Sequence, residues 1–441
     1  MLNQEKLLRM YSYIKDNLYL CHSDMNIGKD SFNSNLLFGL LTSVNKGKQL
    51  VMGEYGGGKT TSSEYLLSMI YGIPRRVLQS STLKGQAEIT SEKTIGRPDL
   101  GALNNGDEKV IWSYFVTLEP KIIDEFNRIP ESKQNMLLEG ADRGNWQYLN
   151  DMVSNGDFAM FATINYKDSG NNRIVEAAVD RFEVAVESRF PTVNNIRRIR
   201  SQFLGKSSAG GLLEDPATEQ KMYDVMLQDK PYSEKRKELR VLQDDFRKLV
   251  ESRTKLELLS EADLVQIMNE IQHIPLSKDS ILFLDLVTAE MYSCMMFGQK
   301  RSNEGCAESC HYQNLLCGRK TNCDSVRTTF SEKKYAQSFA WLLGDKEVTN
   351  QHLSVVMPYV LWHKMKFTDN HMKGYKKDQR DDPFQLYVTK KAVGDLLQRF
   401  SKLRDAQSQM YDLMLADKIA DAKKLAADVD HPVFHEYLKI E

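Results

Sequence analysis

Residues 53 to 60 read Gly-Glu-Tyr-Gly-Gly-Gly-Lys-Thr, the pattern G-x-x-x-x-G-K-T. Gly53, Gly56, Gly57 and Gly58 allow a tight turn in which successive backbone N–H groups face a phosphate anion with no Cβ in the way. Lys59 adds a cation against β- and γ-phosphate oxygens, and Thr60 offers its hydroxyl to Mg²⁺, with Thr61 next in the loop. The chemistry is nucleotide triphosphate binding. It needs a strand before the loop and a helix after it, so that the helix N-terminus points its dipole at the phosphates. Leu50, Val51 and Met52 supply the apolar run of a strand, and Tyr65, Leu66, Leu67, Met69 and Ile70 supply a helix.

Hydrolysis requires a second element that holds the metal and aims water. Ile122 and Ile123 end an apolar run at Asp124 and Glu125, placing the first carboxylate at a strand tip to hold Mg²⁺ and the second where it can polarise water. Asp124 lies 65 residues after Lys59, a separation that suits a parallel α/β domain with one further strand between the two motifs. A run from Phe158 to Ile164 predicts another strand, ending on Asn165, a polar tip suited to sensing the γ-phosphate.

The series GEYGGGKTT, IIDEFNRIP, LLEG, FATINY and EAAVDRF, in that order, resembles the MoxR branch of the AAA+ ATPases over about residues 30 to 365. The resemblance implies an ATPase with a P-loop α/β core, an all-α lid and assembly into a ring, a hexamer. It assigns Asp124 and Glu125 to the Walker B pair, Asn165 to sensor 1, and Arg181 to an arginine finger acting on a neighbouring subunit, with Arg128 and Arg143 as rivals. Ser325, Val326 and Arg327 resemble the sensor 2 signature, Val348 to His363 a closing lid helix, and Ser91 to Glu119 a helix 2 insert, a β-hairpin turning near Asn104, Asn105 and Gly106. Pro120 and Tyr166 depart from the family pattern.

Four of the six cysteines, Cys306, Cys310, Cys317 and Cys323, fall within 18 residues as C-x3-C-x6-C-x5-C. Such clustering in an intracellular chain reads as metal before disulfide, and four thiolates close a tetrahedral Zn²⁺ site. An iron–sulfur cluster and unliganded thiols stand as alternatives. Cys21 and Cys294 read as isolated residues.

The chain has 441 residues, enough for two or three cores, and balances 59 Lys plus Arg against 60 Asp plus Glu. No overall basic field argues for nucleic acid. No run approaches 18 apolar residues, so no membrane-spanning helix is expected and the cytoplasm is the default. The pattern predicts a helical segment over 1–48, an α/β nucleotide-binding core over 49–205, a flexible link from Lys206 to Gly211, an α-helical lid over 212–370 carrying the cysteine loop 306–323, and a separate helical extension over 383–441. Leu239, Leu242, Phe246 and Leu249 recur at helical spacing as one buried face of a lid helix. Helix is expected to continue through Ala416 to Ala427, with His431-Pro432 interrupting it.

These readings describe an ATP- and Mg²⁺-dependent ring ATPase that remodels or matures a protein client, as a chaperone does. The MoxR resemblance suggests a von Willebrand A domain protein as partner. A nucleic-acid-associated motor and a nucleotide-gated scaffold with weak hydrolysis are the alternatives.

Overall fold

The computed structural model describes residues 2–166, 174, 176–204, 211–302, 304–307, 309–323 and 325–439, with the side chains of 202–204 excepted. Apart from Gly211, the expected link from Lys206 lies outside the described residues. The chain forms two compact units, residues 1–270 and 271–441.

The first unit is built on five parallel strands: β1 (Lys48–Gly53), β2 (Leu83–Lys84), β3 (Lys121–Asp124), β4 (Met160–Asn165) and β5 (Val184–Glu187). Their order across the sheet is β5-β1-β4-β3-β2. A parallel sheet is covered on both faces, and the sequence answers with unbroken apolar runs rather than alternation. Leu50, Val51, Ile122, Ile123, Phe161, Ala162 and Val184 to Val186 are all buried. Asn165 stands opposite Gly53 in the register, so the residues that follow β1, β3 and β4 emerge at one edge, where α/β folds place their ligands.

Helix α1 (Asn3–Tyr13) and helix α2 (Ser34–Val44) precede β1, and α3 (Lys59–Tyr71) follows it. Leu36, Leu37, Leu40 and Leu41 lie on α2, which is buried all round and capped by the Asn33 side chain accepting from the Leu36 N–H. The 1–48 segment is not continuously helical: a short hairpin pairs Met25–Ile27 with Asp30–Phe32. The expected insert hairpin is present as 96–98 paired with 110–112, its tip a five-residue helix capped by Asp99. A second hairpin, 145–148 with 151–154, follows α4 (Glu131–Arg143) and had no signal in the sequence reading.

The boundary between units differs from the expected one. Helix α5 (Tyr232–Thr254) packs on the nucleotide-binding core, where a Cβ at Gly72 would meet the Gln243 carbonyl oxygen at 2.5 Å. Of its predicted stripe, Leu239 and Phe246 are buried and Leu242 and Leu249 half-buried, but in the first unit. The expected C-terminal extension is likewise not separate. Helices α6 (Lys278–Tyr292), α7 (Val326–Leu343), α8 (Asn350–Leu361) and α9 (Phe384–Leu415) share one apolar core, in which Phe283, Leu353, Met357, Val393, Leu396 and Phe400 meet. Burying each such side chain contributes roughly 1.5–3 kcal/mol, enough to hold the amphipathic α9 in place. The chain leaves helix at Ala416, with Asp417 left-handed at φ 56°, and Pro432 opens a final helix at its first position. Between them helix runs over Ile419–Asp428, so helix is interrupted at 429–431 where His431-Pro432 was expected to break it.

Candidate active site

The phosphate loop joins β1 to α3 as the motif requires. Gly58 caps α3 with φ +76°, and a Cβ there would stand 2.9 Å from the Tyr19 ring. Only glycine fits both demands. The loop is closed by the Gly57 N–H donating to the Glu54 carbonyl, and by Tyr19 and Ser188, whose hydroxyls donate to the Gly57 carbonyl at 3.1 and 2.7 Å. Those two hydroxyls lie 2.8 Å apart. Burial pushes the Tyr19 phenol up to about 12, so it stays protonated and able to donate. Gly53 and Gly56 complete the turn, and Thr60 and Thr61 occupy the first turn of α3.

Lys59 is buried and folds back on its own loop, donating to the Gly53 and Glu54 carbonyls at 3.1 and 2.8 Å. Burial lowers its affinity for a proton, and Asp124, Glu125 and Glu54 work against that shift. The ammonium thus stays beside acidic groups at the loop.

Asp124 and Thr60 meet directly. The Thr60 hydroxyl donates to Asp124 Oδ1 at 2.6 Å, and the Thr163 hydroxyl donates to the same oxygen at 2.7 Å. Thr163 also accepts the Glu125 N–H at 3.0 Å, so one strand residue positions both acids. Glu125 has φ 55°, the left-handed region that a non-glycine residue adopts at a cost of roughly 1–2 kcal/mol. The surroundings impose it: the Asp124 carbonyl accepts the Gly85 N–H at 2.7 Å, and the Glu125 carbonyl accepts the Arg128 N–H at 2.8 Å. A Cβ at Gly85 would lie 2.1 Å from the Glu125 carbonyl oxygen.

The Glu125 carboxylate is held on both oxygens. Oε1 accepts from Asn165 Nδ2 at 3.1 Å, and Oε2 pairs with Arg128 at 2.9 Å. Arg128, weighed in the sequence reading as a contact to a neighbouring subunit, is therefore engaged within its own site. Tyr166 donates to Glu187 at 2.9 Å and leaves the Asn165 side chain to Glu125.

One of the expected residues stands elsewhere in the first unit. Arg181, at the end of the helix Glu176–Arg181, donates to Asp142 at 2.6 Å and to the Ala177 carbonyl at 2.8 Å. Asp142 also pairs with Lys48, the first residue of β1, and the Glu183 N–H bonds the Lys48 carbonyl at 2.9 Å. The phosphate loop leaves the other end of that strand, about 16 Å away at 3.3 Å per residue, so Arg181 does not serve its own phosphate loop. Arg143, its other rival, is exposed at the end of α4. Arg327 is exposed at the second residue of α7, in the second unit.

The cysteine expectation needs correction. Cys306, Cys310, Cys317 and Cys323 are not gathered as one set, and among the described residues no group of three or more His, Cys, Asp or Glu is arranged as a metal site. Cys323 is drawn off because its N–H bonds Ser302, while Thr321 and Asn322 bond main-chain groups at 364 and 366. Burial pushes the Cys317 thiol up to about 11, with Glu290, Cys306, Cys294 and Cys310 adding to the shift. Cys294, read as isolated, is thus a neighbour of the other three.

Sequence reasoning missed Thr163, Tyr19 and Ser188. A threonine in a strand reads as a β-former, and Tyr19 lies 38 residues from the glycine it holds.

No family model matches the chain, and no curated protein matches it. Among solved structures it is similar to a candidate ATPase from Cytophaga hutchinsonii, 14% identical, over 90% of this chain and 96% of that one, with a TM-score of 0.56. It also aligns with a full-length MCM homologue from Methanopyrus kandleri, 11% identical, over 82% of this chain and 61% of that one, with a TM-score of 0.42. At such identities the likeness speaks for the fold. The chain has a parallel-sheet core of the P-loop NTPase fold and a helical unit after it.

Proposed function

We propose that the protein hydrolyses ATP with Mg²⁺ and uses the cycle, as a ring, to remodel or mature a protein client. The observation that carries the reading is the 2.6 Å contact of the Thr60 hydroxyl with the Asp124 carboxylate, beside Lys59 and Glu125. A hydroxyl and a carboxylate brought to one point beside a phosphate loop are the oxygen donors a hard cation takes. Thr60 and Asp124 would hold Mg²⁺, which supplies charge neutralisation for the phosphates when bound. The glycine loop and Lys59 hold the β- and γ-phosphates, Glu125 orients and polarises water, and Asn165 fixes Glu125. A carboxylate so placed supports an enzyme over a scaffold that only binds.

Assembly rests on Arg181. Its place at the far end of β1 from its own phosphate loop supports donation to a neighbouring copy, where a planar cation stabilises the charge on transferring phosphoryl oxygens. Arg327 is the candidate for sensor 2, at the start of α7. A protein client is supported by the insert hairpin, whose tip exposes Leu100 at 70% and Leu103 at 48% while Lys109 is paired with Asp229 at 2.8 Å. An apolar tip, in a hairpin that sets Arg97 and Lys109 against Asp99, Asp107 and Glu108, suits protein better than a phosphate backbone. The MoxR resemblance points to a von Willebrand A domain protein as that client.

The test is light scattering of the purified protein with and without Mg²⁺-ATP, alongside phosphate release as a function of protein concentration. Specific activity that rises with assembly supports the reading. Full activity in a monomer contradicts it.

A further inference from the structure

Thr163 is fully buried on β4, opposite Val51 of β1. The backbone ladder between β3 and β4 ends at Ile123 and Ala162, and beyond that pair side chains join the two strand tips. The Glu125 N–H goes to the Thr163 hydroxyl at 3.0 Å, and the same hydroxyl reaches Asp124 Oδ1 at 2.7 Å. A backbone N–H can only donate, so the Thr163 oxygen accepts there and its one proton is given to Asp124. Each bond of such a chain, N–H to O–H to carboxylate, polarises and strengthens the other. Thr60 places its own proton on the same Oδ1 at 2.6 Å, which leaves the Thr60 lone pairs for a cation. Asp124 is therefore held from both β4 and the first turn of α3. Of its two supports, Thr60 is itself a ligand in the proposed site and Thr163 is not.

We infer that Thr163 sets the affinity of Asp124 for the divalent cation and couples cation binding to the placement of Glu125, an inference that rests on the Mg²⁺-ATPase reading above. Without the hydroxyl, the orientation of Asp124 would depend on Thr60, a group that the cation itself engages. The Glu125 N–H would lose its partner in the same step, at a residue whose backbone is already held in the left-handed region at φ 55°. Thr163 touches neither nucleotide nor water in this scheme and is a positioning residue. Its branched Cβ suits the strand and restricts the side chain to few rotamers, so the hydroxyl is aimed before any ligand arrives. Partners of this kind, one step behind a ligating carboxylate, are worth about 10- to 100-fold in metal affinity.

The test follows release of a fluorescent ADP from the full-length protein as Mg²⁺ is raised, a readout that needs no hydrolysis, with phosphate release from ATP measured alongside. In the wild type, Mg²⁺ should slow ADP release with a defined midpoint. Thr163→Val keeps the branched shape and removes the hydroxyl; it should raise that midpoint by about 10- to 100-fold and lower kcat at saturating Mg²⁺. Thr163→Ser should stay within a few-fold of wild type in both. Asn165→Ala, which loosens Glu125 alone, should lower kcat at an unchanged midpoint. Should Thr163→Val fold poorly, Thr163→Cys decides in its place, because a thiol is a weak donor and a weak acceptor. A wild-type midpoint in the variant that lacks the hydroxyl overturns the inference, as does an equal shift in Asn165→Ala. Wild-type protein whose ADP release ignores Mg²⁺ and which frees no phosphate overturns the ATPase reading as well, whereas a responsive wild type beside an unshifted Thr163→Val overturns the inference alone.

Discussion

The side-chain amide of Asn165 donates to the carboxylate of Glu125 at 3.1 Å, tying the tip of β4 to the acid that follows β3. The backbone placement of both is fixed by parallel pairing of these strands, Ala162 opposite Ile123. Asn165 is thereby a positioning residue for Glu125. Asn165→Ala should lower kcat by about 10- to 100-fold with little change in the ATP KM, because the lost contact orients a base and does not bind phosphate. A large rise in KM at unchanged kcat would assign Asn165 to binding.

Tyr19 bears on the loop from outside it. Tyr19→Phe removes the donor to the Gly57 carbonyl and the contact with Ser188 but keeps the ring against Gly58. Loss of about 1 kcal/mol of loop organisation corresponds to about fivefold weaker nucleotide binding, read by titration with a fluorescent ATP analogue. Unchanged affinity would show that the loop holds its shape without the phenol.

Lys121 offers a test by pH. Its ammonium is fully buried, donating to the Val116 and Leu118 carbonyls and lying 5.0–5.7 Å from the rings of Phe115, Trp146 and Phe158. Burial depresses its proton affinity well below that of a free lysine. The unfolded chain then binds more protons than the folded one between the depressed folded value and the ordinary unfolded value near 10.4. Stability from this residue therefore rises with pH across that window, by at most about 1.4 kcal/mol per pH unit. Lys121→Met should flatten that slope, as denaturant melts between pH 7 and 10 will show. An unchanged slope would mean the lysine is not depressed.

Much of this was legible locally. The phosphate loop is a contiguous string whose glycines, lysine and threonine each have a backbone or ligand reason, and it folds as read. Asp124, Glu125 and Asn165 were placed because parallel strands end at one edge. What was not legible crosses the chain. Thr163 looks like any strand residue until its hydroxyl is seen between two acids, and Cys294 looks solitary because 11 residues separate it from Cys306. The stripe of α5 was read as one face and 383–441 as a separate extension, but periodicity names a face without its partner, and α5 and α9 both joined cores other than those expected. His431-Pro432 does mark a break, with one helix ending at Asp428 and the next starting on Pro432, where a proline is well tolerated.

Arg181 should act between copies. Arg181→Ala is expected to cut turnover by on the order of 10³ while leaving ATP affinity within a few-fold. Mixed with Lys59→Ala, it should recover part of the wild-type rate, since one copy lends the arginine and the other the intact pocket. Mixtures no faster than either variant would place Arg181 in a structural role with Asp142.

The central claim is that Glu125 turns a nucleotide-binding loop into a hydrolase. Glu125→Gln preserves the hydrogen bond to Asn165 and removes the charge, so binding and chemistry should separate. The decisive measurement is steady-state phosphate release from Mg²⁺-ATP by Glu125→Gln, with ATP affinity measured on the same protein and Lys59→Ala as the binding-defective control. The account predicts near wild-type affinity with turnover lowered by at least about 10². Turnover within a few-fold of wild type would contradict it.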